Sequence, residues 1–219
     1  MTATVPSSGT ARVERSEAFL TWLKEHRNTA SWGGVVLLVA IGLFGWKLWT
    51  TRQSERIASQ ELNSARFALD AKNYALAASE LSRISENYSG SRSANEAAIL
   101  LAQVRLGQGQ SQQAIQVLKD FAPGAAADYK AQAYGLLGAA YENVTHPKEA
   151  AEAYEEAARN ARMPFLRAGY LSDAGRAWLA AGDTAKARLA YTEIATKLDS
   201  TASAFEAKAR LGELSKGSN

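Results

Sequence analysis

Small residues stand at Ala65, Ala102, Gly138, Gly175 and Gly212, separated by 37, 36, 37 and 37 positions. Ala77, Ala114, Ala150 and Ala187 keep the same spacing twelve places later. A period held over most of a chain means one supersecondary unit stacked several times, because each unit can bury its apolar face only against the next. Such a stack is quasi-one-dimensional, and its curved surfaces serve binding far more often than catalysis.

Within each unit the apolar residues follow helical spacing. The pattern predicts first helices over 54–71, 93–107, 126–143 and 165–181, and second helices over 74–88, 110–121, 147–160 and 184–198. Ser93 and Glu96 have the spacing of a capping box. Pro147 suits a first helical position, where its missing N–H costs nothing. Gly107, Gly109 and Gly182 fall at inter-helix turns, while Pro123-Gly124 and Pro164 break one unit from the next. Ala202 to Leu214 repeats the first helix only, and Glu206, Lys208, Arg210 and Glu213 give it the polar outer face of a terminal repeat.

Ahead of the repeats, Asn28 to Trp46 run without a charge between Arg27 and Lys47. As a helix this run is about 28 Å long, which matches a hydrocarbon core of about 30 Å. Trp32 at one end and Trp46 and Trp49 at the other suit the headgroup level. The expectation is an uncleaved transmembrane helix over 28–49, preceded by a disordered tail (1–12) and an amphipathic juxtamembrane helix (13–27) carrying Phe19, Trp22, Leu23 and His26 on one face. A repeat domain over 50–215 and a disordered tail over 216–219 complete the layout. Arg12, Arg15, Lys24 and Arg27 before the span nearly balance Lys47, Arg52 and Arg56 after it, so charge alone does not orient it.

Composition narrows the chemistry. Net charge is +3, and from Thr50 onward 20 Lys/Arg face 19 Asp/Glu, which gives no warrant for nucleic-acid binding. With no cysteine, disulfides, thiolate catalysis and Cys-based metal sites are excluded. His26 and His146 lie in separate segments, and Gly107-Gln108-Gly109 lacks the strand and the Lys-Ser/Thr of a phosphate loop. Glu152, Glu155 and Glu156 read as a solvated acidic face. The reading is non-enzymatic, with no cofactor, metal or small-molecule substrate.

Tyr134, Leu137, Gly138, Tyr141, Ala150, Tyr154 and Ala157 in the third unit resemble the tetratricopeptide repeat. Leu171, Gly175, Trp178, Ala187, Tyr191 and Ile194 carry the likeness into the fourth. The fold expected is all-α: one transmembrane helix, then a right-handed α-solenoid of about four such hairpins and a capping helix. The full layout, with the span ending in Gly45-Trp46-Lys47-Leu48-Trp49, resembles the YfgM-like ancillary subunits of the SecYEG translocon. That resemblance implies a bacterial inner-membrane protein with its N-terminus cytoplasmic and its repeats periplasmic. It implies as partners translocon subunits, a membrane-anchored periplasmic chaperone and exported polypeptides. A scaffold or assembly subunit of another inner-membrane complex is the alternative.

In stacked hairpins the first helices line a groove. The repeat register projects Leu62, Arg66 and Leu69 into it from the first unit, and Ile99, Gln103 and Leu106 from the second. Gln132, Glu142 and Asn143 follow from the third, with Arg176 and Leu179 from the fourth. Short apolar strips with single charges suit a polypeptide segment better than a polar metabolite.

Overall fold

The computed structural model describes the backbone of residues 27–216, and within it the side chains of residues 27–37, 44–45 and 47–51 fall outside the description. The expected tail 1–12, the juxtamembrane helix up to residue 26 and residues 217–219 also lie outside the described residues. Among those described, the chain forms nine α-helices and no strand. They are α1 Arg27–Asp70, α2 Tyr74–Asn87, α3 Arg92–Gly107, α4 Ser111–Phe121, α5 Ala127–Asn143, α6 Pro147–Asn160, α7 Pro164–Ala180, α8 Thr184–Lys197 and α9 Ser203–Lys216. A 3₁₀ turn, Ala122–Gly124, precedes α5. The chain divides into two compact units, residues 1–53 and residues 54–219.

In the first unit Leu38, Val39, Ile41, Leu43 and Trp46 of α1 are all exposed. The expected span over 28–49 is not supported by the described residues, among which no helix is long and apolar enough to cross a membrane. From Leu38 to Trp46 a helix rises only about 14 Å, half of a hydrocarbon core.

The second unit is an all-helical solenoid of stacked hairpins. The part of α1 from Ser54 shares a core cluster with α2, and α3 pairs with α4, α5 with α6 and α7 with α8, while α9 packs against α8 and closes the stack. Alanine dominates its three core clusters, with Ala65, Ala77, Ala97, Ala102, Ala114, Ala133, Ala140, Ala150, Ala174 and Ala187 fully or almost fully buried. A methyl at the contact lets helix axes approach to about 8 Å, the near end of the usual range.

The period also governs volume. Ala65 and Ala102 lie in register with Leu81 and Leu118 of their second helices, and all four are buried. In the third and fourth hairpins the small residue becomes Gly138 or Gly175, and the partner position becomes Tyr154 or Tyr191. A Cβ on Gly138 would stand 2.6 Å from Tyr154 Cε1, and one on Gly175 would stand 2.7 Å from Tyr191 Cζ. One methyl is withdrawn where a ring is added, so a smaller residue faces a larger one across the same register position.

Each hairpin turn uses one device four times. Lys72, Gly109, Thr145 and Gly182 all adopt positive φ, at 59°, 72°, 59° and 80°. Their amides donate to Leu69, Leu106, Glu142 and Leu179 carbonyls, and the following residue donates to the carbonyl one residue earlier, as Asn73 does to Ala68. This is the Schellman closure of a helix C-terminus. Gly109 and Gly182 were legible as turn residues; Lys72 and Thr145 were not, since neither type favours the left-handed region.

The start of α3 differs from the sequence expectation. Its cap is Ser91, whose hydroxyl accepts from the Ala94 amide at 3.0 Å. Ser93 instead donates its hydroxyl to Glu55 at 2.6 Å, and Glu96 pairs with Arg66. The Glu55 carboxylate also accepts from the Arg92 amide at 2.7 Å and the Ser93 amide at 3.2 Å. A carboxylate on free helix-start amides satisfies donors that have no intrahelical partner and meets the positive end of the helix dipole. A long-range acid thus replaces the local Ser-x-x-Glu box.

Candidate functional site

The residues expected to line the first-helix groove take three different places. Leu62 and Ile99 are only 3% and 4% exposed and belong to the core, which corrects their placement in a groove. Leu69, Leu106 and Leu179 are half-buried over the clusters beneath the hairpin turns. Their register at the last turn of each first helix, where contact with the second helix is obligatory, explains this. Gln103, Gln132 and Asn143 are exposed.

The remaining three are charges, and each is matched by a neighbour. Arg66 forms an ion pair with Glu96 of the next first helix. Arg176 donates to Glu142 at 2.6 Å and to Asp173 at 3.1 Å. Glu142 also accepts from the Tyr154 hydroxyl at 2.9 Å, so one carboxylate ties α5 to both α6 and α7. The hydrogen bond from Arg176 to Glu142 is the main cause holding that guanidinium's proton more tightly than usual. Burial, reinforced by Glu142, pushes the Tyr154 phenol above its ordinary range. Of the expected site residues, Glu142 and Arg176 are thus in direct contact, and the charges on this face stitch repeats together.

Open space lies elsewhere. Three clefts open between successive second helices, each floored by the first helix between them. A cleft of about 390 Å³ is lined by α2, α3 and α4, including Glu86, Leu101, Asp120 and Phe121. One of about 480 Å³ lies among α4, α5 and α6, with Leu118, Tyr134, Leu137 and Tyr141 below and Glu149, Glu152, Glu155 and Glu156 around it. The third, about 240 Å³, lies among α6, α7 and α8 and carries Arg159, Arg167 and Lys186. The first two fall in the size range of ligand-binding clefts.

The acidic residues read from sequence as a solvated face therefore border the cleft of about 480 Å³. Glu156 binds Arg159 at 2.7 Å, a hydrogen bond that is the main cause lowering its carboxyl below the usual range. Glu155 accepts from the buried Trp178 indole at 2.7 Å, while Lys186 lies 3.8 Å above that ring. Burial, then Glu156, raises the Tyr134 phenol. His146 stacks on Tyr141 with ring centroids 6.3 Å apart and stands 3.9 Å from Glu149. Among the described residues no group of three His, Asp or Glu side chains could hold a metal ion. The signal that could have located this face was the run Glu149, Glu152, Glu155 and Glu156, facing the gap to the preceding repeat.

The sequence model of the tetratricopeptide repeat-like domain matches residues 58–168. The chain belongs to the tetratricopeptide repeat-like family. No curated protein matches the chain. Among solved structures it is similar to two crystal structures, one of them a single-residue variant, of nearly identical TPR-like repeats from a Podosopora anserina protein assigned as a kinesin light chain. Both show 17% identity and a TM-score of 0.55 over 74% of this chain, and over 86% and 87% of theirs. At that identity the likeness speaks for the fold. The tetratricopeptide match ends inside α7, so the fourth hairpin and its cap extend the family unit on structural grounds.

Proposed function

We propose that this tetratricopeptide protein is a membrane-anchored docking module of the bacterial inner membrane, an ancillary subunit of the Sec translocon that brings periplasmic chaperones or exported chains to the channel. The observation that carries the docking part is the solenoid itself, with clefts of binding size between its second helices. Repeat folds of this kind are generally interaction scaffolds. Anchoring is supported by the uncharged run Asn28–Trp46 and by the exposure of Leu38, Ile41 and Leu43 at 69%, 59% and 66%. Each such side chain gains about 1.5–3 kcal/mol when removed from water, a gain that lipid would supply. Tethering raises the effective concentration of a partner at the membrane without a tight interface.

Photo-crosslinking residues at Gln103, on the first-helix face, and at Gln116 of α4, on the second-helix face, test the reading in intact cells. Adducts to translocon subunits, a periplasmic chaperone or exported chains support it. Adducts to one unrelated membrane subunit refute the translocon role in favour of a scaffold. Release of the full chain from membranes by alkaline carbonate overturns anchoring.

A further inference from the structure

The two larger clefts share a helix and a sign of charge. The helix α4 is the ridge between them, presenting Asp120 and Phe121 to one side and Leu118 and Lys119 to the other. The first cleft is lined by two carboxylates, Glu86 and Asp120, and by no Lys or Arg. Their hydrogen bonds are to neutral groups, Ser82 donating to Glu86 at 2.7 Å and Gln116 to Asp120 at 2.8 Å. The second cleft is lined by four glutamates against Lys119 and Arg159. Arg159 already occupies Glu155 and Glu156, which shows that this rim holds a guanidinium. Glu152 is exposed and makes no salt bridge among the described residues. The third cleft reverses the balance, with three cations against Glu155 and Glu193.

We propose that a basic amphipathic polypeptide segment docks across α4, its apolar side chains against the half-buried Val117, Phe121 and Tyr134 and its Lys or Arg side chains in the two acidic clefts. This rests on the docking reading above and names both the face and the chemistry of the partner. Charge complementarity selects the occupant: an acidic segment meets like charge in both clefts, and a neutral one covers exposed carboxylates without supplying a cation. The half-buried Tyr134 adds a ring face on which a cation gains further attraction. Binding on the second-helix side also leaves the Arg66–Glu96 and Glu142–Arg176 ties of the first helices intact.

The test uses the full chain in a non-ionic detergent and a fluorescein-labelled twelve-residue peptide alternating Leu and Ala with Lys and Arg. An otherwise identical peptide carrying Glu in place of Lys and Arg is the control. The basic peptide binds, the acidic one does not, and about 0.5 M salt weakens the complex. Asp120→Lys with Glu152→Lys weakens it about tenfold, from two exposed attractions lost and two repulsions gained, while Gln103→Glu, an exposed position on the first-helix face, leaves it unchanged. Should the double reversal fail to fold, Asp120→Asn with Glu152→Gln decides, with about a threefold loss expected. Equal affinity for the two peptides, or an affinity indifferent to these substitutions, overturns the proposal. Protein adducts at Gln103 alongside a negative peptide result overturn this inference alone. An absence of protein adducts at both Gln103 and Gln116 overturns the docking reading itself.

Discussion

Replacing Gly138 by alanine should destabilise the protein, against the ordinary effect of removing a glycine from a helix. In α5 the exchange gains about 1 kcal/mol of helix propensity. The added Cβ, however, would meet three atoms of the Tyr154 ring at 2.6, 2.7 and 2.8 Å. That ring is 4% exposed, and its hydroxyl is tied to Glu142 at 2.9 Å, so it has little freedom to withdraw. Overpacking against a held ring falls near the upper end of its usual range, about 3 kcal/mol. The net is a loss of about 2 kcal/mol, or roughly 4–8 °C in Tm for a domain of this size. Thermal unfolding followed by circular dichroism reads it, with Gly212→Ala as control, because a Cβ there meets nothing within 4 Å and the exchange should stabilise by up to about 1 kcal/mol. The sharper comparison is in a Tyr154→Leu background, which restores the Ala102–Leu118 pairing of the second hairpin. There Gly138→Ala should reverse sign and stabilise by about 1 kcal/mol. If Gly138→Ala stabilises equally in both backgrounds, the ring yields freely and the matched-volume argument fails.

Thr145→Gly should stabilise by roughly 0.5–1 kcal/mol and Gly182→Ala should destabilise by about 1 kcal/mol, since both sites hold positive φ; urea unfolding of the pair checks this. Glu55→Gln should cost about 1–2 kcal/mol, by weakening three hydrogen bonds at the start of α3, and hydrogen exchange at the Arg92 and Ser93 amides should accelerate. Stability should fall as pH rises above about 10. Burial and then Glu142 raise the Tyr154 phenol in the folded state, so its contribution is complete below the unfolded value of 10.0 and is lost as the unfolded chain releases its proton first. Tyr154→Phe should flatten the alkaline limb of a urea-midpoint profile, and an unchanged slope would show that this phenol is not responsible.

The repeat architecture was legible because it depends on spacing. Ala65, Ala102, Gly138, Gly175 and Gly212 mark where helices must approach, and a period needs no knowledge of what lies opposite. Helix ends read well where Pro147 and Pro164 impose them, since a proline's restriction is local. They read poorly at α3, because the acid satisfying its amides, Glu55, is 37 residues from Arg92.

The groove projection was only partly legible. Register correctly gives the helix face of a residue relative to its own axis, but it cannot say whether a neighbouring repeat covers that face. Leu62 and Ile99 are core for this reason, and Arg66 and Arg176 appeared as lone charges because Glu96 and Glu142 lie on other helices. The acidic clefts were hidden likewise: Glu86, Asp120 and Glu152 belong to three helices, and only stacking brings them beside the α4 ridge. By itself the sequence determined the unit, its number and its small-residue seams, all of which follow from short-range periodicity. The tertiary structure alone decided how closely each glycine and ring meet, which charges are neutralised and which face remains open, because each depends on a partner supplied by another helix.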